Sequence, residues 1–456
     1  MTYEPNVREV VRSRALLADR RFLSLWLSQG ISQTAQNAIL FSLLVIVLGI
    51  TGSSVHTSIL VFSFILPSIP LGFIVGVVLD RTNKGPVLVT TNLLRAGGCM
   101  LFFFFHGNEW TIYGISVAFA TAGLFFNPAV VALIPSLVSR ERLVPANSLY
   151  NFTLTGSQLV GIVIIAPVVL QSFGPDGMFI AGAVLFLMAA VFAARLNLVR
   201  EKQGPKLPQG AIFGGIPTEF RESWRTLVSD RYSVLALAQL IMSSTLVLLF
   251  AILIPRYMHD VLDQAPESAA LVFAPTGIGA LVGLRFLPWF AKKGKNRVVV
   301  IGLVGIGVCL VLLALVEPLA DLTRQTPGPL NPTRFLRISL LQALAMSFAG
   351  PMGFFYALLN APAQTVLHER APPEMRGRIF ATQVVSANFI SLLPLLLVGA
   401  ITDWLSITWV LVLLALMVFG MALASASVAD PERPAKTPVR GPAEAGDLID
   451  THMGRR

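Results

Sequence analysis

Three charged side chains, Asp80, Arg81 and Lys84, lie in a short segment between two long apolar runs. Gly72 and Gly76 precede this segment, and glycines four residues apart leave a groove on a helix where a second helix can approach closely. A carboxylate beside such a contact can accept hydrogen bonds from the positively charged amino end of the second helix. We therefore predict a latch, meaning a set of charges that holds two parts of the protein together in one state.

Candidate partners for this latch lie elsewhere in the sequence. They are the amino end of the apolar run that follows Arg376, Gly377 and Arg378, and a basic side chain, either Arg140 or Arg142. These contacts would form only while the two parts are closed at this end, so they would stabilise a state that is open at the other end. The alternative is that Asp80, Arg81 and Lys84 belong to a solvated loop.

A second set of polar residues lies within the apolar runs. Arg95 is about ten residues from the start of its run, roughly 15 Å deep at the rise of an α-helix. Charged side chains at such depth are costly and usually functional, so Arg95 is the candidate for a cation facing a substrate cavity. The alternative for Arg95 is a structural bond to a neighbouring carbonyl or amide. Uncharged candidates for lining the same path, of which we expect about half to face it, are Gln33, Gln36, Asn37, Asn127, Gln158, Gln239, Asn360, Gln364, Gln383 and Asn388.

The acidic residues avoid the centres of the apolar runs. All 24 lie in loops, tails or at helix ends, and His106 and His368 also lie at the ends of runs. A transporter driven by protons usually needs a buried carboxylate or imidazole that alternates between two protonation states. Proton coupling would have to use a carboxylate at a helix end, namely Asp80, Glu109, Glu317 or Asp403. The same absence, with Arg95 as the deep charge, favours a neutral or anionic amphiphile over a polycation as substrate.

The composition is that of a membrane protein. Charged residues make up 13% of the 456 positions, apolar residues make up 55%, and the mean hydropathy is +0.73. Soluble domains carry roughly 25% charged residues, because a soluble surface needs them. Cys99 and Cys309 lie far apart in apolar runs, without metal-ligand spacing, and we expect them to be packing residues. We expect neither a metal nor a cofactor.

About 20 consecutive apolar residues cross a bilayer as a helix, since the hydrocarbon is about 30 Å thick. Twelve runs meet this criterion, and we predict an all-α membrane protein whose twelve transmembrane helices form two six-helix bundles. The predicted spans are 22–49, 56–79, 86–106, 110–137, 146–171, 177–198, 232–256, 267–290, 297–318, 335–367, 378–402 and 406–427.

Most of the 34 lysines and arginines fall in segments on one side of these spans. Cytoplasmic loops carry such an excess, so we predict that both termini are cytoplasmic. The net charge of +10 is spread over many loops and both tails, which argues against nucleic-acid binding. The predicted organisation is a cytoplasmic segment 1–21, a first bundle 22–198, a cytoplasmic linker 199–231, a second bundle 232–427 and a disordered cytoplasmic tail 428–456.

Weak internal sequence similarities, which we call echoes, support a duplicated architecture. KGPVLV, beginning at Lys84, leads into the third span, and KNRVVV, beginning at Lys295, leads into the ninth. PAVVAL, beginning at Pro128, ends the fourth span, and PAQTVL, beginning at Pro362, ends the tenth. Two related bundles of this kind are common in transporters, with the substrate site between them near the middle of the bilayer.

These residues resemble the loop signature of the major facilitator superfamily. The matching elements are the segment from Gly72 to Lys84, Phe126-Asn127-Pro128-Ala129, Arg142-Leu143-Val144-Pro145-Ala146-Asn147 and Pro373-Glu374-Met375-Arg376-Gly377-Arg378. The branch most similar in these motifs holds macrolide efflux pumps and enterobactin exporters. The resemblance implies the twelve-helix fold, transport by alternating access, proton coupling, and a latch that includes Glu374 and the basic residues around it.

The chain departs from the family pattern at several places. Asn83 and Gly85 stand where the family loop usually has a glycine and a basic residue, and residues 32–37 hold none of the acids common in the first span. The Gly-Pro signature of antiporters is present in part, as Gly156, Gly161 and a displaced Pro167.

The function that these observations favour is export of an amphiphilic small molecule, drug-like or siderophore-like, by a monomeric secondary transporter in the bacterial plasma membrane. The first alternative is movement of a lysophospholipid or another lipid between leaflets. An intramembrane enzyme would need a nucleophile and base, or metal ligands, at membrane depth, and such residues are scarce here. A membrane sensor without transport would need a folded output domain, and neither the linker nor the tail is long enough to supply one.

Overall fold

The computed structural model describes residues 16, 18–139, 142–196, 221–222, 224–291, 294–325, 339–371 and 376–428, and their regular structure is helical. The α-helices are α1 (Arg20–Thr51), α2 (Ser54–Ile65), α3 (Ser68–Arg81), α4 (Lys84–Phe105), α5 (Glu109–Leu124), α6 (Phe126–Leu137), α7 (Leu143–Leu159), α8 (Ala166–Ala194), α9 (Arg231–Asp260), α10 (Ala269–Ala291), α11 (Lys295–Ala314), α12 (Val316–Gln325), α13 (Leu340–Arg370), α14 (Arg376–Trp404) and α15 (Ile407–Ala426). A π-helical turn, Val160–Ile165, joins α7 to α8, and a 3-10 turn, Pro266–Ser268, precedes α10.

Polar residues mark where these long helices begin and end. The Asp19 carboxylate accepts a hydrogen bond from the Arg21 N–H at 2.8 Å and caps the start of α1. At the other end, Gly52 has a φ of 63°, a left-handed conformation that glycine adopts without a steric penalty. Ser53 then caps α2 by accepting from the Val55 N–H at 3.2 Å. The chain therefore reverses within two residues between α1 and α2.

Several predicted spans are built from two helical pieces. Span 56–79 divides into α2 and α3 at Pro67, and span 110–137 divides into α5 and α6 at Phe125. The spans predicted at 146–171 and 177–198 are separated by a sharp bend at Gly174, as predicted. Gly174 has a non-helical backbone, with a φ of 66° and a ψ of −169°, and lies just before Pro175. Proline and π-helical turns are common causes of such bends, and buried neighbouring helices satisfy the freed backbone groups.

The described residues contain ten helical runs that are long and apolar enough to cross a membrane. One of these, Pro145–Ala194, has 50 residues, and an eleventh apolar helix, Leu271–Leu287, is shorter than the others. The all-helical membrane fold is therefore as predicted, whereas the count of twelve spans remains a prediction. The predicted span 297–318 ends within α12, which begins at Val316 and continues to Gln325.

The helices fall into two sets that pack mainly among themselves. In the amino-terminal half, α4 packs on α5 and α8, and α1 packs on α7 and α8. In the carboxy-terminal half, α13 packs on α10, α11 and α9, and α15 packs on α11. The principal contacts between the halves are α2 with α14, α1 with α9, and the π-helical turn with α10. Cys99 and Cys309 are buried and free, as expected for packing residues.

Glycines bring α10 and α13 into backbone contact. A Cβ placed on Gly279 would lie 1.9 Å from the Gly350 carbonyl oxygen, and one on Gly353 would lie 1.8 Å from the Thr276 carbonyl oxygen. Neither position has room for any side chain. Small residues allow this approach, which maximises dispersion contacts between helices in a medium where apolar side chains gain little from leaving the lipid.

We name the two ends of the molecule from the predicted orientation. The outer end holds Gly52, between α1 and α2, and the inner end holds Asn83, between α3 and α4.

Candidate functional site

A cavity of about 510 Å³ lies between the two halves. Its walls come from α1, α7 and the π-helical turn on one side and from α9, α10, α11 and α13 on the other. This volume lies within the range of roughly 300–1,000 Å³ that is typical of small-molecule sites. The polar residues among its described lining are uncharged, namely Asn37, Gln158, Thr276, Tyr356 and Asn360.

Most of the remaining lining is aliphatic or aromatic. Phe41 lies on the amino-terminal side, while Phe250 and Phe273 lie on the carboxy-terminal side, where Met352 adds an adaptable thioether. An apolar ligand that binds to such a surface is stabilised by about 25 cal/mol for each Å² of apolar area removed from water. The lining of the cavity is thus mainly apolar, with a few uncharged hydrogen-bonding groups.

The π-helical turn shapes the amino-terminal wall. A Cβ on Gly161 would lie 2.5 Å from the Thr34 carbonyl oxygen and 3.0 Å from the Asn37 Cβ, so this glycine lets the turn touch α1. Ile162 and Gln158 consequently reach the cavity. π-helical turns are rare and frequently lie at functional sites. Gly161 was noted in the sequence only as a partial antiporter signature, and here its role is close packing.

Two asparagines are oriented by bonds outside the cavity. The Asn37 side-chain amide donates to the Gln33 carbonyl oxygen at 2.8 Å, one turn back on α1. The Asn360 amide donates to the Ser243 hydroxyl at 2.7 Å and joins α13 to α9. Each bond uses one N–H group of its amide and fixes the rotamer, so both side chains are presented to a ligand with little loss of conformational entropy.

Thr276 sits where α10 meets α13. Its carbonyl oxygen is the atom nearest Gly353, and its side-chain oxygen is buried with no hydrogen-bond partner among the described residues. A buried hydroxyl without a partner is uncommon and costs about 1–3 kcal/mol. Thr276 therefore marks a place in the cavity wall where an added polar group would be stabilised.

Arg95 is enclosed within the amino-terminal half and does not line the cavity, which differs from the expected cavity-facing position. Its side chain is 1% exposed. The guanidinium donates to the Ser32 hydroxyl at 3.1 Å and to the Gln36 side-chain oxygen at 2.9 Å. Three aromatic rings surround it at 5.3–5.8 Å, those of Phe119, Phe126 and Phe186.

These contacts explain how the membrane interior tolerates the charge. Cation–π contacts and two neutral acceptors replace part of the hydration that the guanidinium loses on burial. The Arg95 Nε has no hydrogen-bond partner among the described residues. Arg95 thereby holds α4 to α1 at Gln36, the residue before Asn37 in the cavity wall. It is a positioning residue for the site, in line with the structural alternative stated above.

The other polar candidates are distributed over several interfaces. Gln33 donates to Asn127 within the amino-terminal half, and Gln239 donates to Asn296 at 3.2 Å and Ser425 at 3.1 Å within the carboxy-terminal half. Asn388 on α14 donates to Ser68 on α3 at 3.1 Å and so joins the halves. Gln383 on α14 and Gln364 on α13 are not among the described residues that line the cavity. Of the predicted path, the cavity thus brings together Asn37, Gln158 and Asn360.

The structure describes only some of the residues predicted to form the inner latch. A Cβ on Gly72 would lie 3.6 Å from the Val385 side chain, an ordinary van der Waals distance, so α3 faces α14 at this position without an approach that only glycine allows. Arg142 is exposed at the amino end of α7, and Lys84 begins α4. Arg140 and Glu374 lie outside the described residues, as do the side chains of Asp80, Arg81, Arg376 and Arg378. Gly76 and Gly377 belong to α3 and α14, but their surroundings lie outside the described part of the structure.

A polar cluster at the outer end was not anticipated as a unit. The Asp403 carboxylate, at the end of α14, accepts from the Ser54 N–H at 2.8 Å and the Val55 N–H at 3.2 Å. The Ser53 hydroxyl also donates to it. Arg256 on α9 donates to Asp403 at 3.0 Å and to Asp260, on its own helix, at 2.5 Å. The sequence signals were Arg256, a basic residue at the predicted outer end of span 232–256, where few basic residues lie, and Asp403, considered only as a proton carrier.

Comparisons with known proteins agree with this architecture. The sequence model of the family described as Major Facilitator Superfamily matches residues 25–330. The multidrug efflux pump Tap of Mycolicibacterium fortuitum is 23% identical over 375 residues, which cover 78% of this chain and 83% of Tap. The lysophospholipid transporter LplT of Serratia proteamaculans is 28% identical over 151 residues, covering 32% of this chain and 36% of LplT. The structure of the nucleoside transporter NupG superposes with a TM-score of 0.68 over 90% of this chain and 98% of NupG at 12% identity, a similarity of fold alone.

Proposed function

Because the chain belongs to the major facilitator superfamily and has the fold of its transporters, we propose that it exports a neutral amphiphilic small molecule through the cavity between its halves. The protein is accordingly a multi-pass membrane transporter and not an enzyme. The observation that carries the proposal is the lining of the cavity. Its described polar groups are amides and hydroxyls, without a carboxylate, ammonium or guanidinium to pair with a charged substrate.

The neutral substrate class follows from Arg95 as well. The sequence favoured a neutral or an anionic amphiphile, the anionic one because Arg95 was assigned to the cavity wall, and the enclosed guanidinium removes the main reason for an anionic substrate. Burying a charged ligand without an opposite charge is costly, so a neutral molecule with a hydrogen-bonding edge fits this lining best. The relationship to Tap, named as a multidrug efflux pump, supports export of such a compound.

We propose that transport uses alternating access, with the halves rocking around the cavity. In this proposal the chain crosses the bilayer twelve times as two six-helix bundles, with both termini in the cytoplasm of a bacterium. The 50-residue run Pro145–Ala194 supports two crossings, because it is about twice the length that one crossing needs and bends at Gly174. Reporter fusions at both termini and in the loop before Glu109 test this topology; termini on opposite sides would contradict it.

The experiment that tests the function is uptake into inverted membrane vesicles. Export from a cell becomes uptake in this orientation, so a panel of neutral, anionic and cationic amphiphiles should accumulate in the order neutral, then anionic, then cationic. Each compound is measured with and without an imposed pH gradient. Accumulation that ignores the gradient would reject proton coupling by Asp80, Glu109, Glu317 or Asp403, and accumulation of cations alone would reject the neutral substrate class.

A matched pair of variants assigns the transport signal to the cavity. Ala280→Trp would fill part of the cavity, because Ala280 lines it. Gly97→Ala would change a helix face where an added Cβ meets nothing within 4 Å. We expect the first variant to lose most transport and the second to keep it. Equal transport by both folded variants would place the substrate elsewhere.

The inner latch remains part of this proposal. If Asp80 binds the amino end of α14 when the inner end closes, Asp80→Asn should abolish transport while folded protein remains in the membrane. Gly72 facing α14 supports this pairing of helices. Normal transport by Asp80→Asn would remove the inner latch from the mechanism.

Movement of a lysophospholipid is the second candidate. The similarity to LplT, which is named as a lysophospholipid transporter, favours it, as does the apolar cavity. Vesicles with a fluorescent lysolipid in one leaflet separate the two functions. Lysolipid crossing that depends on the protein and is blocked in Ala280→Trp would favour lipid transport, whereas exclusive uptake of soluble amphiphiles would favour drug export.

A further inference from the structure

We propose that Asp403 is the centre of an outer latch, which holds the amino end of α2 against the carboxy end of α14 and is released in every transport cycle. The inference rests on the alternating access proposed above. The cluster joins the halves at the outer end, while the motif around Asp80 concerns the inner end. The two sites share no described residue.

The bonds of Asp403 cross between the halves. Three donors come from the start of α2, namely the Ser53 hydroxyl and the N–H groups of Ser54 and Val55. N–H groups in the first turn of a helix lack a backbone acceptor in that helix, so a carboxylate satisfies them and interacts favourably with the helix dipole. The Val55 N–H is shared between Asp403 and the Ser53 hydroxyl. The helix that supplies the carboxylate belongs to the other half.

Arg256 strengthens this contact from a second helix. Its guanidinium donates to Asp403 at 3.0 Å, to the Gly52 carbonyl oxygen at 3.3 Å and to the Ser54 hydroxyl at 3.4 Å. It therefore bridges α9 and α14 of one half to the α1–α2 connection of the other. The side chains of Arg256 and Asp403 are 21% and 26% exposed, so water screens the pair only in part.

The position of Asp403 on its own helix indicates a reversible contact. A negative charge near the carboxy end of a helix is disfavoured by the dipole of that helix. Asp403 is the last residue but one of α14, and the opposing dipole of α2 compensates only while the halves are closed at the outer end. Gly399 permits this close approach, since a Cβ there would lie 2.2 Å from the Ser58 hydroxyl and 2.7 Å from the Ser54 carbonyl oxygen.

The helix pair α2–α3 and α14 would then carry a latch at each end. At the outer end an acid of α14 binds the amino end of α2, and at the inner end the predicted latch uses an acid of α3 and the amino end of α14. The donor and acceptor helices are exchanged between the two ends. Each latch stabilises the state in which its own end is closed, so the two oppose each other.

The first test measures closure without any substrate, so its failure is separate from a failure of the proposed export. A cysteine replaces Ile254, which lines the cavity near the outer end. A membrane-impermeant maleimide is applied to the outer face of intact cells, and the labelling rate of the full-length protein is recorded. We expect Asp403→Asn and Asp403→Ala to raise this rate by about tenfold or more, the effect of losing roughly one charge-assisted hydrogen bond.

Asp260→Asn is the matched control. Asp260 bonds the same arginine, but it lies on the same helix and therefore joins nothing across the halves. We expect its labelling rate to stay within about twofold of the parent, as is usual for partly exposed pairs within one helix. An unchanged rate in folded Asp403→Ala, or an equal rise in Asp260→Asn, would overturn the proposal.

The second test distinguishes a latch that opens from a permanent cap on α2. Ser53→Cys and Asp403→Cys are combined, and the pair is oxidised to a disulfide across the contact. If the contact opens in each cycle, oxidation should stop transport and reduction should restore it. Undiminished transport by the cross-linked protein would show that Asp403 is a static cap, and would contradict the latch.

The third test uses the opposition between the two ends. Asp403→Asn should shift the population towards the state open at the outer end, and Asp80→Asn should shift it towards the state open at the inner end. The double variant should label Ile254→Cys at a rate closer to the parent than Asp403→Asn alone. Labelling of the double variant at or above the rate of Asp403→Asn would show that the two sites do not oppose each other.

Discussion

Two helix pairs beside the cavity, one in each half of this transporter, are held together by different physical means. In the amino-terminal half, α4 is fixed to α1 by side-chain bonds from the buried Arg95 to Ser32 and Gln36. In the carboxy-terminal half, α10 and α13 touch backbone to backbone through Gly279 and Gly353. The echo that pairs Lys84 with Lys295 also pairs Arg95 with Ile306, an aliphatic residue at the cavity wall.

This difference shows how related bundles can come to play different parts. In the amino-terminal half, the charged Arg95 lies away from the cavity and fixes α1, the helix that carries Asn37. The carboxy-terminal half has no such charge at the matching position, and its glycines bring the cavity-lining Thr276 and Tyr356 into place by close packing. A buried polar side chain and a pair of glycines are thus two different ways to position the helices of a cavity wall in lipid.

The largest expected effect comes from filling the glycine contact. Gly353→Leu would place a side chain where the Thr276 carbonyl oxygen lies 1.8 Å from the ideal Cβ, so the backbones of α10 and α13 must separate. We expect a loss of stability at or above the upper end of the 1–3 kcal/mol typical of overpacking, with little folded protein recovered. Size-exclusion profiles and the thermal midpoint in detergent measure it.

Gly420→Leu on α15 is the control, because a Cβ there meets nothing within 4 Å. We expect this variant to behave like the parent protein. Folded, active Gly353→Leu would contradict the backbone contact and with it the contrast between the halves.

A somewhat smaller effect is expected from Arg95. Arg95→Leu leaves the Ser32 hydroxyl and the Gln36 amide without their cationic donor in a buried site, so we expect about 2–3 kcal/mol of destabilisation. Arg95→Lys keeps the charge but cannot reproduce the planar fork, and its thermal midpoint should lie between those of the parent and Arg95→Leu.

Substrate affinities test whether Arg95 has a structural role or contacts the substrate. Because Arg95 positions α1 and does not contact the cavity, Arg95→Lys should change the affinities for neutral and anionic compounds by the same factor. A selective loss of anionic compounds would instead return Arg95 to the substrate path.

Gln158→Glu tests the cavity with a substitution of nearly equal size. Gln158 is exposed on the cavity wall, so the new carboxylate need not disrupt packing. We expect the preference for cationic over neutral amphiphiles to rise about tenfold, the effect of one favourable charge contact of about 1.4 kcal/mol. Competition assays in vesicles measure the ratio. An unchanged ratio in folded protein would show that Gln158 does not meet the substrate.

The membrane fold could be predicted from the sequence because apolar length and the distribution of lysine and arginine are local properties. The interruption between spans 146–171 and 177–198 was predicted and lies at Gly174. The break at Pro67 was not predicted, since proline is tolerated in lipid and its effect depends on neighbouring helices. Asn37, Gln158 and Asn360 could be proposed from polarity and depth alone.

The orientation of Arg95 was beyond such reasoning. A single arginine on a helix can face a cavity or a neighbouring helix, and the choice depends on three aromatic rings and two acceptors contributed by other helices. The outer cluster around Asp403 was missed for the same reason, because residues 53–55 and 403 are far apart in sequence and join only through the pairing of α2 with α14.

The smallest effect is expected where a charge pair lies within one half. Asp230 caps α9 by accepting from the Ser233 N–H at 3.1 Å, and it meets Arg370 of α13 at 3.5 Å. Burial alone would raise its pKa, but hydrogen bonds from Ser233 and Tyr232 and the charge of Arg370 hold the pKa below its ordinary value. Asp230→Asn should cost less than about 1 kcal/mol, because asparagine caps helices nearly as well as aspartate.

The pH dependence of this pair separates it from the bonds between the halves. Because the pKa of Asp230 is lower in the folded than in the unfolded protein, its stabilisation is fully present above the unfolded value and is lost as pH falls through the folded value. The difference in thermal midpoint between the parent and Asp230→Asn should therefore shrink on acidification, while labelling of Ile254→Cys stays the same in both. A difference in thermal midpoint that grows at low pH would contradict this assignment of Asp230. A change in the labelling rate of Ile254→Cys would mean that Asp230 also affects the opening of the halves, so that charge pairs within a half could not be separated from those between the halves.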